Sequence, residues 1–480
     1  MNENVGTHEQ GTFDYGTIEK GFQTLSELAR KDGVDLELIV ERGEMLGLSV
    51  SQGKLEKFDS SQSQVGGLRV LMNGVEGYSW TESLHDEDLV AAYRDALESA
   101  KFSARGNVMR SVEERAKEMI ELWGSGASVV VKEDPALFND TLGKVSMDSK
   151  IDRAKMLELK SKERDSRIAN VPYNRYSETS GEVMIFNSKG VRARQRRTGV
   201  MGYTYCLAKS GEESRMAGES FFTRNATSVP IAETAALAAE KAVNKLGSVS
   251  PETGRYPIVI DREVAAEVFG LIADYFSAKS LAERTTIYGK SPEPSANLGQ
   301  VVGSAVLQIS DDPQLDGGIG NRPFDSEGVP TRKTLLVENG VLKAFLTNSV
   351  YAKRLGLPHT ANASRSARTQ LDVGPSNLVV SEGSETFEQL MATYPKMIYV
   401  TDFTGYHAGF QHGSGSFSFQ SEGELWENGK KVKSLCNFVV AGSIDEMLKG
   451  LEKVSSRLSP KSSSVIAPDL LVKSLSVAGA

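Results

Sequence analysis

The sequence predicts an α+β fold in two parts. An N-terminal α/β domain runs from 15 to 246, and a β-rich C-terminal domain with a curved or barrel-like sheet and packed helices runs from 255 to 480. Three observations predict it. Strand-type runs are joined by Asn-Gly pairs at Asn73-Gly74, Asn339-Gly340 and Asn428-Gly429, and Asn-Gly supplies the two positive-φ residues of a type I′ hairpin. A helix, several strands and a helix occur twice before residue 246, as an internal duplication would produce. The stretch Gly247 to Gly254 (GSVSPETG) has the Ser, Pro and Gly content of a boundary.

Taken in order, residues 1–14 are polar and Gly-containing and are read as disordered. Ile18, Phe22, Leu25 and Leu28 have helical spacing. Leu36 to Val40 and Gly47 to Val50 are strand-like, and a polar stretch follows, ending in Val65-Gly66-Gly67. Leu68 to Trp80 is a hairpin, and His85 to Ser103 a helix. Lys144 to Asp165 is a charged helix, Ile168 to Thr223 is strand-rich with a turn at Asn187 to Gly190, and Pro230 to Leu246 is an Ala-rich helix. The second part opens with a strand at Tyr256 to Ile260 and a helix from Glu263 to about Lys279. Strand fragments at Val301 to Ile309 precede the stretch that organises the chain, Phe324 to Leu357. There Lys333 to Val337 and Val341 to Leu346 flank Asn339-Gly340, Thr347 or Asn348 caps a helix, and Gly356 ends it. Later come Leu378 to Ser381, a helix near Phe387 to Tyr394, and a strand at Met397 to Val400. A helix at Ser443 to Arg457 and a strand at Leu470 to Val477 close the chain.

Composition excludes several classes. Hydrophobic content of 39% and charged content of 25% are those of an ordinary globular protein. A net charge of −8 argues against general nucleic-acid binding. Arg192, Arg194, Arg196 and Arg197 form one basic run, which reads as a solvated sheet face. Two cysteines, Cys206 and Cys436, make no disulfide framework and suit a reducing compartment. The N-terminus lacks a signal-peptide pattern, and no run reaches the ~18 apolar residues of a membrane helix. A cytoplasmic protein is expected.

The motifs FDSEGV (from Phe324), ENGVL (from Glu338) and A-x-RLGL (from Ala352) stand at a spacing that resembles the C-terminal half of the TldD/PmbA family of peptidase-related proteins. A weaker likeness runs from about Gly16 to Gly479. The resemblance implies one of two branches. The TldD branch holds zinc with an HExxxH helix and a distant Cys; the PmbA (TldE) branch lacks that site. The family's zinc helix follows the strand that here is Tyr256 to Ile260. Set against HEAVGH, Ala266 falls on the first His, Glu267 on the Glu and Leu271 on the second His. Zinc takes imidazole, thiolate or carboxylate ligands, so Ala and Leu vacate it. No Cys follows Cys436. The PmbA branch is therefore implied, with no cofactor in this chain, no catalytic residue, and zinc expected in a TldD-type partner. Without zinc, Glu267 has no bound water to deprotonate.

Other constellations are weaker. His407, His412 and Cys436 could form a substitute metal site, but His-x4-His among Gly405, Gly409, Gly413 and Gly415 reads as a loop lining a groove. Gly405, His407, His412 and Gly413 are thus the candidate substrate-binding residues, with peptide added as a strand to a C-terminal sheet edge. Asp311, Asp312, Asp316 and Asp325 lack the EF-hand pattern. No nucleophile elbow or P-loop occurs. The expected function is that of a PmbA-type subunit of a proteolytic complex. By resemblance, such a complex cleaves unfolded or leader peptides and is linked to maturing modified ribosomal peptides and degrading an antitoxin. The expected partner is a TldD-type subunit in a heterodimer, or a second copy in a homodimer. Two alternatives stay open: a stand-alone homodimeric peptide-binding or regulatory protein, and a hydrolase using an unrecognised site.

Overall fold

A computed structural model of the chain describes residues 15–106, 121–124, 126 and 129–479; the expectation for residues 1–14 lies outside these. Helix α1 (Tyr15–Asp32) is followed by β1 (Asp35–Ser51), β2 (Lys54–Met72), β3 (Val75–Thr81) and α2 (Asp86–Gly106). After β4 (Val129–Val131), the same succession returns as α3 (Met147–Arg164), β5 (Ile168–Asn187), β6 (Val191–Ser210), β7 (Glu213–Thr223) and α4 (Ile231–Asn244). All seven strands form one sheet, in which the meanders β1–β2–β3 and β5–β6–β7 join through the antiparallel pair β1–β5. Side chains of a strand alternate between its faces. Leu36, Leu38, Val40, Met184 and Phe186 accordingly pack on α1 and α2, and Leu48, Val50, Tyr176, Val200 and Phe221 pack with Ala154 and Leu157 of α3 and Ile231 of α4.

The C-terminal half runs β8 (Gly254–Ile260), α5 (Arg262–Leu271), α6 (Ala278–Glu283), β9 (Ile309–Asp311), β10 (Thr334–Glu338), β11 (Val341–Leu342) and α7 (Ser349–Leu355). It continues through β12 (Ala363–Ser364), β13 (Asp372–Val373), β14 (Leu378–Val380), α8 (Phe387–Met391), β15 (Lys396–Thr404), α9 (Tyr406–Gly409) and β16 (Phe410–Gln411). The last elements are β17 (Ser416–Glu427), β18 (Lys430–Ser443), α10 (Ile444–Lys449), β19 (Leu451–Leu458), β20 (Val465–Ile466) and β21 (Pro468–Gly479). Strands β8, β15, β17, β18 and β21 pair in a closed ring, because β15 bonds both β8 and β17. The fold is therefore α+β, with a curled N-terminal sheet and a small closed C-terminal barrel. The barrel core includes Ile258, Ile260, Ile398, Val400, Phe419, Val440 and Val472, with Val264, Val268 and Phe269 of α5 packed onto it.

Local signals placed the turns. Asn73-Gly74, Asn339-Gly340 and Asn428-Gly429 all have positive φ at both residues. Asn348 caps α7 through Tyr351 N, and Gly356 closes it at φ 62°.

Two helix expectations fail, and a stretch that carried no element proves to be strand. Residues 54–64, read from sequence only as a polar stretch, are strand: Gln52-Gly53 (φ 50° and 75°) turns β1 into β2, and the ladder runs on to Ser51↔Lys54 with a register shift between Ser49 and Val50. The ladder is made by the backbone, so these exposed strand residues need no apolar pattern. The helix expected to about Lys279 stops at Leu271; a 3-10 turn, Ala273–Phe276, intervenes before Ser277 caps α6. The helix expected over Ser443 to Arg457 ends at Lys449, and Leu451–Leu458 pairs with β21 instead, with register shifts that disguise its period. Closure pairs each of the five ring strands with two neighbours, whereas β19 pairs with β21 alone among the named strands.

Candidate functional site

Strand β8 ends at Ile260 and Asp261 starts α5, its side chain accepting from Glu263 N at 2.7 Å. Asp261 also accepts from the Tyr399 hydroxyl. Arg457 bonds Tyr399 at 3.0 Å and pairs with buried Asp469 through two bonds of 2.8 and 2.9 Å. Burial raises the Asp261 carboxyl above its ordinary value. On the next turns Ala266 is buried in the barrel core, Leu271 packs against that core, and Glu267 is exposed. A methyl and an isobutyl group donate to no metal, so Ala266 and Leu271 offer zinc no ligand.

The expected groove residues come close to this helix. Glu267 accepts from the Tyr406 hydroxyl at 2.5 Å, which ties α9 to α5. Desolvation of the Glu267 carboxyl end raises its pKa, against the pull of that hydrogen bond, and Asp402, Glu263 and Asp261 add to the rise. Tyr275 stacks edge-on with His412 at 4.6 Å and donates to its carbonyl. Gly405 holds φ 78°, and a side chain at Gly413 would meet nothing within 4 Å. His407 is exposed, whereas Cys436 is buried and receives Arg215 Nη2 at 3.1 Å. Among the described residues, His407, His412 and Cys436 do not converge on a metal position.

A second cluster sits on the FDSEGV turn. Asp325, Glu327 and His359 bring their donor atoms within 4.8 Å. Asp325 is spent on three backbone N–H groups, from Glu327, Val329 and Ala363. Glu327 accepts from Arg69 at 3.0 Å and from the Ser349 backbone N–H at 2.9 Å, with the Ser349 hydroxyl also bonded. Burial opposes its charge, but His359, Arg69 and Ser349 outweigh this and hold it down to about 2. Burial and Glu327 push Asp325 up, to about 7. A guanidinium 3.0 Å from one carboxylate disfavours a cation there. The cluster is better read as a lock between the halves, since Glu37 of β1 binds Arg365 at 2.7 Å beside it. Asp311 is buried on Asn362 and Ser376 N, Asp312 pairs with Lys333, and Asp316 is exposed, so the acidic loop does not form one site.

The sheet face turned away from α1–α4 is a third feature. Near Ile39, Val65, Ile185 and Ala193 it is covered by Phe324 and Ala367. Farther along, no hydrophobic cluster of the described residues covers it. Met45, Tyr173, Met201, Tyr203, Tyr205 and Met216 are exposed, Tyr173 by 59%. Tyr205 meets Tyr173 and Tyr203 edge-on at 6.4 and 6.0 Å. Sequence reading missed this face and the Arg69–Glu327 lock. The alternation in Met201, Tyr203 and Tyr205 was the available signal for the first; the lock has no local signal.

Comparison with known proteins completes the picture. Family models of the PmbA/TldA metallopeptidases match residues 36–100 (domain 1), 140–246 (central domain) and 253–479 (C-terminal domain). "Metalloprotease PmbA" of Escherichia coli O157:H7 is 23% identical over 462 residues, covering 95% of this chain and 96% of that protein. The crystal structure of a Thermotoga maritima MSB8 protein, named as a candidate modulator of a DNA gyrase, superposes with a TM-score of 0.84 at 25% identity over 96% of this chain and all of the other. TldE from Thermococcus kodakarensis has the same fold, with a TM-score of 0.81 at 20% identity over 96% of this chain and all of that one. The chain belongs to the TldD/PmbA family.

Proposed function

We propose that this chain is a PmbA-type subunit that binds peptide and depends on a TldD-type partner for zinc and hydrolysis. The observation that carries the reading is α5. By the resemblance, α5 stands where the TldD branch has its zinc helix, with Glu267 on the Glu and Ala266 and Leu271 on the two His positions; both of these residues are turned to core packing. Glu267 is engaged with Tyr406 rather than free to serve a metal-bound water. Both PmbA/TldE and TldD proteins are among the relatives, so the choice of branch rests on α5. The exposed sheet face offers extended peptide an aromatic surface, which suits binding with little sequence demand. No helix among the described residues is long and apolar enough to cross a membrane, and a cytoplasmic site of action is part of the proposal.

Elemental analysis after dialysis should find no stoichiometric zinc in the purified chain. Peptide hydrolysis should require mixing with a TldD-type chain and should vanish with a chelator. One zinc per chain, or chelator-sensitive hydrolysis by this chain alone, defeats the reading.

A further inference from the structure

Three of the four arginines in the basic run of β6 find acids. Arg192 bonds Glu19 at 3.3 Å, Arg194 bonds Glu182 at 2.5 Å, and Arg196 bonds Glu133 at 3.0 Å. Arg197 points to the exposed face, opposite to these three, and is different. Among the described residues its side chain has no hydrogen bond and no ion pair, and its Nε is buried without a partner. What faces it is positive. Arg224 donates to the carbonyls of Thr198 at 3.0 Å and Gly318 at 3.1 Å, with its guanidinium 5.1 Å from the Phe222 ring. Arg322 donates to Ser376 Oγ at 2.8 Å and to the carbonyls of Gly374 at 3.0 Å and Ala363 at 3.3 Å.

Every one of those acceptors is neutral. The nearby carboxylates are committed: Asp311 to Asn362 and Ser376 N, Asp325 to its three N–H groups, and Asp134 to Ala136 N. Burial, then the charges of Arg322 and Arg224, push the Arg197 guanidinium down to about 10. Asp311 and Asp325 still attract Arg322, and Asp134 attracts Arg224, but among the described residues the Arg197 guanidinium faces only the other two guanidinia and no carboxylate, a costly arrangement unless an anion completes it.

The surroundings say what carries the anion. In register with Arg197 lie Gly181 and, beyond it, Gly43; the next rung holds Gly199, Thr179 and Met45. Gly181 and Gly43 leave this floor bare of side chains beside Arg197, while Gly199 lies under the Phe222 ring. Along β6 the floor leads to Met201, Tyr203 and Tyr205. Resting on the peptide-binding reading above, we infer that Arg197, with Arg224 and Arg322, binds a carboxylate of an extended peptide whose other side chains lie on Met201, Tyr203 and Tyr205. The carboxylate is either the C-terminus or an Asp or Glu side chain.

The test uses the purified full chain at low ionic strength and three fluorescein-labelled Ala/Phe/Leu hexapeptides: a free acid, its C-terminal amide, and an amide carrying one Glu. The free acid or the Glu amide should bind about 10-fold more tightly than the plain amide, and whichever gains identifies the source. Arg197→Gln severs no native hydrogen bond among the described residues and relieves repulsion, so it should fold with an unchanged or higher Tm. It should abolish the difference, and Arg197→Lys should keep part of it. Equal binding of all three peptides, or discrimination that survives Arg197→Gln, overturns the inference while leaving peptide binding intact. If no peptide binds, the peptide-binding reading and this inference both fall. Succinate raising the Tm of wild type but not of Arg197→Gln would then preserve only an anion site.

Discussion

Arg69 is the largest side chain with no exposed surface, and three carboxylates account for it. Glu76 bonds it at 2.7 Å, Glu327 at 3.0 Å, and Glu37 lies at 3.7 Å. Removing one partner of a buried ionic group leaves the others uncompensated, at a cost of ~3–5 kcal/mol. Glu327→Gln should therefore lower stability by that order in urea unfolding. Its pH dependence has a definite sign. Glu327 in the folded chain sits near 2, below its ordinary 4.5, so its contribution is present above about pH 4.5 and is lost as pH falls toward 2. The stability gap between wild type and Glu327→Gln should narrow through that window. A gap that stays constant from pH 6 to pH 3 would show that the charge of Glu327 is not what stabilises the lock. Sequence gave no warning of this role, because Arg69 and Glu327 lie 258 positions apart and FDSEGV reads locally as a polar turn. Arg197 was visible as part of a basic run, but the one-residue step that turns it to the other face matters only once the strand register is known.

Between the halves, the contact is made by a loop on a strand. A Cβ at Gly67 of β2 would lie 2.0 Å from the Ala367 carbonyl oxygen. Only glycine lets residues 365–369 lie so close to the sheet, where Ala367 N bonds Glu41 at 2.9 Å and Arg365 reaches Glu37. Gly67→Ala should lift that loop, cost ~1–3 kcal/mol as an overpacked contact does, and expose Arg365 and Arg368 to trypsin. Cleavage no faster than in wild type would show that the strand, not the loop, yields. The Asn-Gly hairpins were legible because a type I′ turn is a local requirement on two residues. The Val-Gly-Gly run at 65–67 was legible only as an end to a polar stretch, because the reason for Gly67 is Ala367, 300 residues on. The outer part of β2 was invisible for the opposite reason: it is held mainly by ladder bonds to β1, with an Arg175–Asp59 ion pair at 2.9 Å, and its side chains from Lys54 to Ser63 are exposed.

For the whole molecule, the division of labour with a zinc-bearing partner turns on whether α5 could be made into a metal site by its two missing ligands. Positions 266 and 271 are five apart, which separates side chains by ~140° on an ideal helix. Gly270 could permit a local widening, but the helix runs regularly to Leu271 and caps on Ile272, whose N–H bonds the Gly270 carbonyl. Ala266 is only 6% exposed, in a core that also holds Phe269 and Ile272, so an imidazole there must displace packed side chains before it reaches a metal. Among the described residues no His, Cys, Asp or Glu joins positions 266 and 271 in a candidate metal group, so no third ligand stands ready. Ala266→His with Leu271→His should therefore lower Tm, bind no stoichiometric zinc, and show no peptide hydrolysis. Glu267→Gln alone should leave the activity of the mixture with a TldD-type partner near that of wild type, since Glu267 is held by Tyr406 and has no metal-bound water to deprotonate. Zinc-dependent hydrolysis by the double-His chain, or loss of the mixture's activity with Glu267→Gln, would place catalytic chemistry on this subunit and reverse the assignment.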